Sequence, residues 1–402
     1  MKVLLNKKLF IFLSLGIISI AFIAHHQSLR QLGKESTVNE KQQDQIETKE
    51  TTELWKRDNI QQQLNGNVVG KCKPVKNLVF IKVEKCGGST LSNIFLRFGE
   101  RQNLSFVLPE PGRSNITKKI LYEHIGRCVN MIVHHSTYDG KLMQRIMPQD
   151  TVYIGVIREP LNHLKSFYNY HNFGNKQSMP GLARFEENPW KFMNQLGNLQ
   201  NRQSVRYGWA NNGAMSNKSA WDFVKMIDRK FDIVLISDHM KESLVLLKDV
   251  LCWSWEDMLY VSHKVANESA AIRYLKKEGR RESSSLDHAQ NRILAKANLR
   301  RFSMVDYAMF DFFNHSLWQN IKMKGGKFQK DLAHFDEKLK IIQKTCKYTE
   351  DDLTLTEKYL DKIIHLSPSS PEYRCHRMLL PPIYYSKYIL HPKREHNTCI
   401  RN

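Results

Sequence analysis

Asn77-Leu-Val-Phe-Ile-Lys-Val83, then Glu84-Lys-Cys-Gly-Gly-Ser-Thr90, then Leu91-Ser-Asn-Ile-Phe-Leu-Arg-Phe98: these 22 residues decide the fold. The first run is apolar and largely β-branched, the second carries paired glycines, and the third has a helical apolar spacing. The order is strand, glycine-containing turn, helix. Strand-like runs recur at Asn130–His135, Thr151–Ile157 and Phe231–Ile236. Helix-compatible segments follow, notably Leu161–Tyr170 and Glu242–Leu251. Buried apolar strands alternating with helices predict an α/β domain, a P-loop-like parallel sheet flanked by helices. Ligands of such sheets sit at the carboxyl ends of the strands.

The turn after the first strand is built for an anion. Backbone amides of Cys86, Gly87, Gly88, Ser89 and Thr90 open a helix and form a nest backed by the helix dipole. The glycines let an oxygen approach the backbone, Lys85 adds a full charge, and Ser89 and Thr90 add hydroxyls. An ordinary β-α turn needs neither the lysine nor the hydroxyls. This is not a Walker A loop, because the lysine precedes the glycines, which argues against a kinase or NTPase. A second anion element begins where the 151–157 run ends. Arg158 stands at a strand tip, Pro160 at a helix start, and Ser166 two turns on. A guanidinium grips a phosphate bidentately, although either residue alone reads equally as a solvated surface. Together the two elements predict a ligand with two separated phosphates.

Composition agrees. The 402 residues are 41% hydrophobic and 25% charged, with 19 Gly and 12 Pro, which excludes disordered and collagen-like chains. Seven Cys are too few for a disulfide miniprotein. Sixty-one Lys+Arg against 40 Asp+Glu leave a charge of +21 and predict an anionic partner.

Leu9–Ala24 is one uncharged apolar run preceded by Lys2, Lys7 and Lys8. Its helix would be about 24 Å long, a short span suited to a thin early-secretory membrane. Phe22 at the −3 position makes a poor cleavage site, so the run reads as an uncleaved anchor rather than a signal peptide. The lysines orient it type II. The expected organisation is a cytosolic tail (1–8), a transmembrane signal-anchor (9–24), a stem (25–75) and a lumenal domain (76–402). An anchor argues against a nucleic-acid partner. Lumenal placement makes the sequons at Asn103, Asn115, Asn217, Asn267 and Asn314 usable for glycosylation.

The strand-KxxGST-helix segment and the later Ile157-Arg-Glu-Pro-Leu-Asn-His-Leu-Lys-Ser-Phe167 segment resemble the two nucleotide-binding motifs of Golgi sulfotransferases, which use 3′-phosphoadenosine 5′-phosphosulfate (PAPS). Phe231–Lys248, Phe312–Gln319 and Cys375–Pro381 match as well, and within the first of them Asp238–Lys248 narrows the resemblance to the galactose-3-O-sulfotransferases, including galactosylceramide sulfotransferase. The resemblance implies the sulfotransferase fold and a Golgi membrane location. It implies transfer of a sulfuryl group from PAPS to the 3-hydroxyl of galactose on a glycolipid or glycoprotein glycan, with no metal required. Lys85 to Thr90 would hold the 5′-phosphosulfate, and Arg158 with Ser166 the 3′-phosphate.

One position departs from the family pattern. A histidine is expected immediately before the loop lysine, and Glu84 stands there. The base that takes the acceptor proton is then His135, at the end of the 130–135 run, or Glu84 itself, or neither; ion pairing to Lys82 or Lys85 would explain Glu84 without catalysis, and a packed or solvated imidazole beside His134 would explain His135. The substitution leaves room for a different sugar acceptor or for a non-catalytic relative that binds glycans. The likeness around Cys375 makes Cys346 and Cys375 the first disulfide candidates, with Cys86 expected to be free. Tyr207 and Trp209 fit either a sugar-stacking or a core-packing role. His134, His135 and the cysteines lack zinc spacing. Nothing in the sequence sets the oligomeric state.

Overall fold

The computed structural model describes residues 72–171, 173, 181–196, 199–211, 215–261, 285–346, 366 and 370–391. They belong to the larger of two compact units of the chain, Ile60–Asn402. The anchor at 9–24, nearly all of the stem at 25–75, and Asn267 lie outside them.

Five strands form one sheet: β1 (Leu78–Ile81), β2 (Phe106–Val107), β3 (Met131–Ile132), β4 (Val152–Ile157) and β5 (Ile233–Ile236). Their order is β2-β3-β1-β4-β5 and every pairing is parallel. The four strand-like runs of the sequence all contribute, shortened at their ends; β2 is an addition. All four residues of β1 are fully buried, as a continuous apolar run demands. From β1 the chain goes to one side for β2 and β3, then crosses to the other for β4 and β5. The carboxyl ends of β1 and β4 therefore border the topological switch point, where α/β sheets bind ligands.

Helices α1 (Gly88–Arg101), α2 (Lys118–Glu123), α3 (Gly140–Ile146), α4 (Pro160–His171), α5 (Leu182–Glu187), α6 (Asn217–Lys230), α7 (Met240–Leu251), α8 (Ser285–Phe302), α9 (Met304–Lys324), α10 (Gly326–Thr345) and α11 (Pro371–Leu379) flank the sheet. Helix α7 and helix α9 both pack on β5. A second apolar cluster joins Leu164, Phe167 and Tyr168 of α4 to Phe185, Leu299, Phe302 and Tyr307. It anchors the helix that starts at the second anion element. Among the described residues, no helix is long and apolar enough to cross a membrane.

Covalent and polar ties close the chain around the sheet. Cys72 is bonded to Cys252, and Cys346 to Cys375. Beside the first bridge, Val75 N–H donates to the Leu251 carbonyl at 2.9 Å, and Trp253 Nε1 to the Val75 carbonyl at 3.0 Å. Cys128 is disulfide-bonded as well, and Cys86 is free and buried. The Cys375–Pro381 stretch packs on α1: Asn93 Nδ2 donates to the Arg377 and Leu380 carbonyls at 2.8 and 2.9 Å. Buried Glu100 accepts from Arg377, Tyr373 and Tyr385.

Gly155 in β4 shows how tightly the sheet meets its cover. A Cβ there would lie 2.6 Å from Tyr207 Oη and 3.0 Å from the ring. Tyr207 is fully buried and donates to the Val156 carbonyl at 2.9 Å, so it is core rather than a sugar platform. Gly155→Ala is expected to cost about 1–3 kcal/mol by overpacking, read as a lower denaturation midpoint with unchanged slope. Adding Tyr207→Phe should recover part of that loss.

Candidate active site

The segment from Lys82 to Gly87 leaves β1 and turns into α1. Lys85 takes φ +63° and Gly87 φ +72°, so two left-handed residues reverse the chain within a few positions. Gly87 is the residue type that bears this without cost; Lys85 is not, and must be held. Three side chains hold the loop by donating to its carbonyls. His135 Nδ1 donates to the Lys82 carbonyl at 3.0 Å, His163 Nε2 to that of Glu84 at 2.9 Å, and Arg158 Nη1 to that of Lys85 at 3.2 Å. They come from the end of β3, from α4 and from the end of β4. With the carbonyls engaged, strain at Lys85 is set by its surroundings.

The helix that follows offers its first turn to an anion. Its cap residue, Gly87, supplies no side-chain cap, and the first turn has no acidic residue. The first-turn amides are thus left for an external acceptor. Gly87 and Ser89 are exposed, Thr90 is half-buried, and Cys86 and Gly88 are buried. The stem of Lys82 lies against Gly88, where a Cβ would meet its Cγ at 2.7 Å. Lys82 is 4% exposed and brings a second cation to the turn. Lys85 Nζ lies 4.1 Å from the ring centre of Tyr170, an exposed residue near the end of α4.

His135 and Glu84, the two candidate bases, feel each other's charge but are prepared differently. A carbonyl only accepts, so Nδ1 of His135 carries the proton and Nε2 keeps its lone pair. Burial, then the Lys82 charge, pulls the His135 pKa down to about 4, against the opposing pull of Glu84. The imidazole is therefore neutral near pH 7. Glu84 is tied to Arg206, with Nε donating to Oε2 at 3.0 Å and Nη2 bonding Oε1, while Arg202 stands 3.7 Å from Oε1. Burial would raise its pKa, but the Arg206 hydrogen bond and charge outweigh that and lower it. A carboxylate held as an ion is a weak proton acceptor. His134 is buried against Ser386 Oγ at 2.6 Å, its pKa forced well below the usual value by burial and by Lys82.

Arg158 is half-buried at the tip of β4, as the sequence indicates. Besides the Lys85 carbonyl, its guanidinium faces Asp238, 3.8 Å away. Asp238 follows β5 and also accepts from Glu159 N–H at 2.8 Å and Asn162 Nδ2 at 3.1 Å. Ser166 lies half-buried on the second turn of α4. The loop and Arg158 are thus brought into contact.

Arg202, Gln203 and Arg206 are the residues that sequence reasoning missed. They lie in a polar segment about 120 residues downstream of the loop, with no periodicity to flag it. Trp209, half-buried next to this segment, packs edge-on against Phe223 at 5.2 Å. Among the described residues, no group of three or more His, Cys, Asp or Glu is placed to hold a metal ion. Asn103, Asn115 and Asn217 are exposed, whereas Asn314 is half-buried within α9.

A family model described as galactose-3-O-sulfotransferase matches residues 1–371. Human galactosylceramide sulfotransferase is 27% identical over 300 residues, covering 69% of this chain and 66% of that enzyme. Mouse galactose-3-O-sulfotransferase 2 is 25% identical over 303 residues, covering 70% and 73%. Mouse galactose-3-O-sulfotransferase 3 is 24% identical over 358 residues, covering 79% and 78%.

The buried histidines make stability depend on pH. His135 and His163 each have a folded pKa of about 4, in both cases chiefly through burial, below the ordinary 6.5. The unfolded chain then binds more protons between those values, so their contribution is full above pH 6.5 and is lost as pH falls toward 4. Asp306, raised to about 6 by burial, acts in the opposite sense over pH 4–6 but is a single group. The melting temperature is expected to fall between pH 7.0 and 5.0, and His163→Gln, which keeps a donor for the Glu84 carbonyl, should flatten that dependence. An equal slope in the variant would show that His163 is not buried neutral.

Proposed function

The chain belongs to the galactose-3-O-sulfotransferase family, a family of carbohydrate sulfotransferases, and from that premise we propose that it transfers a sulfuryl group from PAPS to the 3-hydroxyl of a galactose residue on a glycolipid or glycoprotein glycan. One observation carries the donor assignment. The uncapped, acid-free N-terminus of α1, with Lys85 beside it, is in hydrogen-bond contact with Arg158 through the Lys85 carbonyl. A nucleotide with a 5′-phosphosulfate and a 3′-phosphate matches this paired cationic arrangement. The amides of Cys86 to Thr90 and Lys85 would hold the former, Arg158 and Ser166 the latter.

Bound PAPS supplies the sulfuryl group and a phosphate leaving group. The residues do the rest. Lys85 and the first-turn amides neutralise charge that grows on the phosphate oxygen as its bond to sulfur breaks. His135 Nε2 takes the proton of the sugar hydroxyl as that oxygen bonds to sulfur, leaving a sulfate ester, a protonated imidazole and adenosine 3′,5′-bisphosphate. Glu84, already an ion, keeps Arg206 in place and favours the imidazolium. The organisation proposed for the whole chain is a tail at 1–8, an anchor at 9–24 and a stem at 25–75. They would hold the domain from residue 76 in the Golgi lumen.

Transfer of labelled sulfate from PAPS to a panel of β-galactosides tests this reading directly. Lys85→Ala is expected to abolish transfer in a folded protein. His135→Ala should lower turnover by about 10²–10⁴ with little change in PAPS affinity, and Glu84→Gln should weaken it only modestly. Near-normal turnover in both would remove both candidate bases. Firm PAPS binding without transfer to any galactoside would point to a glycan-binding relative instead.

Arg158→Ala removes a charge-assisted contact worth about 1.5–3 kcal/mol. Calorimetry with adenosine 3′,5′-bisphosphate is therefore expected to show roughly 10- to 150-fold weaker binding, with Ser166→Ala costing less. Unchanged binding in both variants would contradict the 3′-phosphate site.

A further inference from the structure

Beyond Ile157 the sheet has no ladder partner for β4. Strand β1 ends in register at Ile81 opposite Gly155, and β5 ends at Ile236 opposite Ile157. The tip of β4 nevertheless carries Arg158, whose backbone must be fixed if its guanidinium is to be aimed. Side chains from the 203–207 turn take over the missing strand. Tyr207 Oη donates to the Val156 carbonyl at 2.9 Å. Two residues on, the Gln203 carboxamide engages Arg158 from both sides of its peptide. Oε1 accepts from Arg158 N–H at 2.8 Å, and Nε2 donates to the Arg158 carbonyl at 2.9 Å. The same Oε1 accepts from the Cys86 thiol at 3.4 Å, inside the anion loop. One buried amide, 1% exposed, thus touches both cationic elements.

The amide is itself held by an anchor outside the site. Gln203 N–H donates to Asp306 Oδ2 at 3.0 Å, and Ser204 N–H and Oγ both donate to Oδ1 at 2.7 Å. Asn201 Oδ1 in return accepts from Val305 N–H at 3.0 Å. The 201–204 segment and the start of α9 clasp each other, so the Gln203 side chain leaves a fixed base.

We propose that Gln203 is a positioning residue that sets the Arg158 guanidinium against the 86–90 loop, so that the site reads a nucleotide bearing both a 5′- and a 3′-phosphate rather than one. This rests on the PAPS reading and deepens it. A residue that merely stabilised the fold would weaken all nucleotides alike. A residue that sets the relation between two anion sites lowers the advantage of the ligand that uses both.

The test is the ratio of dissociation constants for adenosine 5′-monophosphate and adenosine 3′,5′-bisphosphate, measured by calorimetry on the intact lumenal protein. Gln203→Met, of similar volume but unable to hold the Arg158 peptide, is expected to lower the ratio by roughly tenfold with monophosphate affinity changed less than about threefold. Gln203→Glu, the second variant should the first fold poorly, places an oxygen against the Arg158 carbonyl and should lower the ratio as well. Ser204→Ala removes one Asp306 contact of the anchor, and should lower the melting temperature and lower the ratio by less than Gln203→Met does. An unchanged ratio in the Gln203 variants, or a larger fall in Ser204→Ala than in Gln203→Met, would overturn the proposal while the PAPS reading stands. Failure of the unaltered protein to bind the bisphosphate would overturn both.

Discussion

The site depends on three donors that converge on the carbonyls of one loop. A chain that leaves a strand, passes through two left-handed residues and enters a helix must turn its carbonyls somewhere, and buried carbonyls without partners are costly. His135, His163 and Arg158 take them at Lys82, Glu84 and Lys85. Because the donors come from the ends of β3 and β4 and from α4, the loop is tied to three separate elements and cannot relax alone. The same bonds fix the chemistry of their donors. The bond that secures the loop also chooses the tautomer of His135 and leaves Nε2 as the open position.

Electrostatics at the mouth follow from which charges are already spent. Lys82, Lys85, Arg158, Arg202 and Arg206 surround the loop, with Glu84 and Asp238 as the nearby carboxylates. Glu84 is taken by Arg206, with Arg202 close by, and Asp238 stands at the edge of Arg158 and serves three backbone and side-chain groups. The field at the start of α1 is therefore positive before any helix dipole is counted. Asp306 works through hydrogen bonds to the 203–204 backbone and Ser204 Oγ, and burial raises its pKa to about 6 against those bonds and the Arg202 charge.

How much of this was legible depended on how local the cause is. The strand, loop and helix of 77–98 are set by near neighbours: a buried apolar run, two glycines and a periodic apolar face. The sequence therefore reveals them with correct type and close boundaries, and the same holds for β4, Arg158 and α4. The pairing of Glu84 with Arg206 spans 122 positions, and that of Gln203 with Asp306 spans 103. Neither partner has a local signature, since a polar residue destined for burial looks like any solvated one until its partner is known. Tyr207 illustrates the same blindness in reverse. Its aromatic ring fits a sugar platform and core packing equally, and only the contact with Gly155 and the Val156 carbonyl shows it to be core.

Glu84, where the family resemblance leads to the expectation of a histidine, looks in sequence like the loss of a base. In space it is better understood as a rearrangement of charge. A histidine at this position would sit among Lys82, Arg202 and Arg206 and would be pressed to stay neutral. Glutamate instead satisfies the two arginines and places a negative charge within reach of His135, where it opposes the depression that burial and Lys82 impose. A base whose conjugate acid is too acidic captures a proton poorly, and one that is too basic is already protonated. Glu84 moves His135 toward the useful range without competing for the proton, because Arg206 keeps the carboxylate ionised. The two candidate bases are therefore not rivals. In the proposed mechanism His135 accepts the proton, and Glu84 sets the field in which it works.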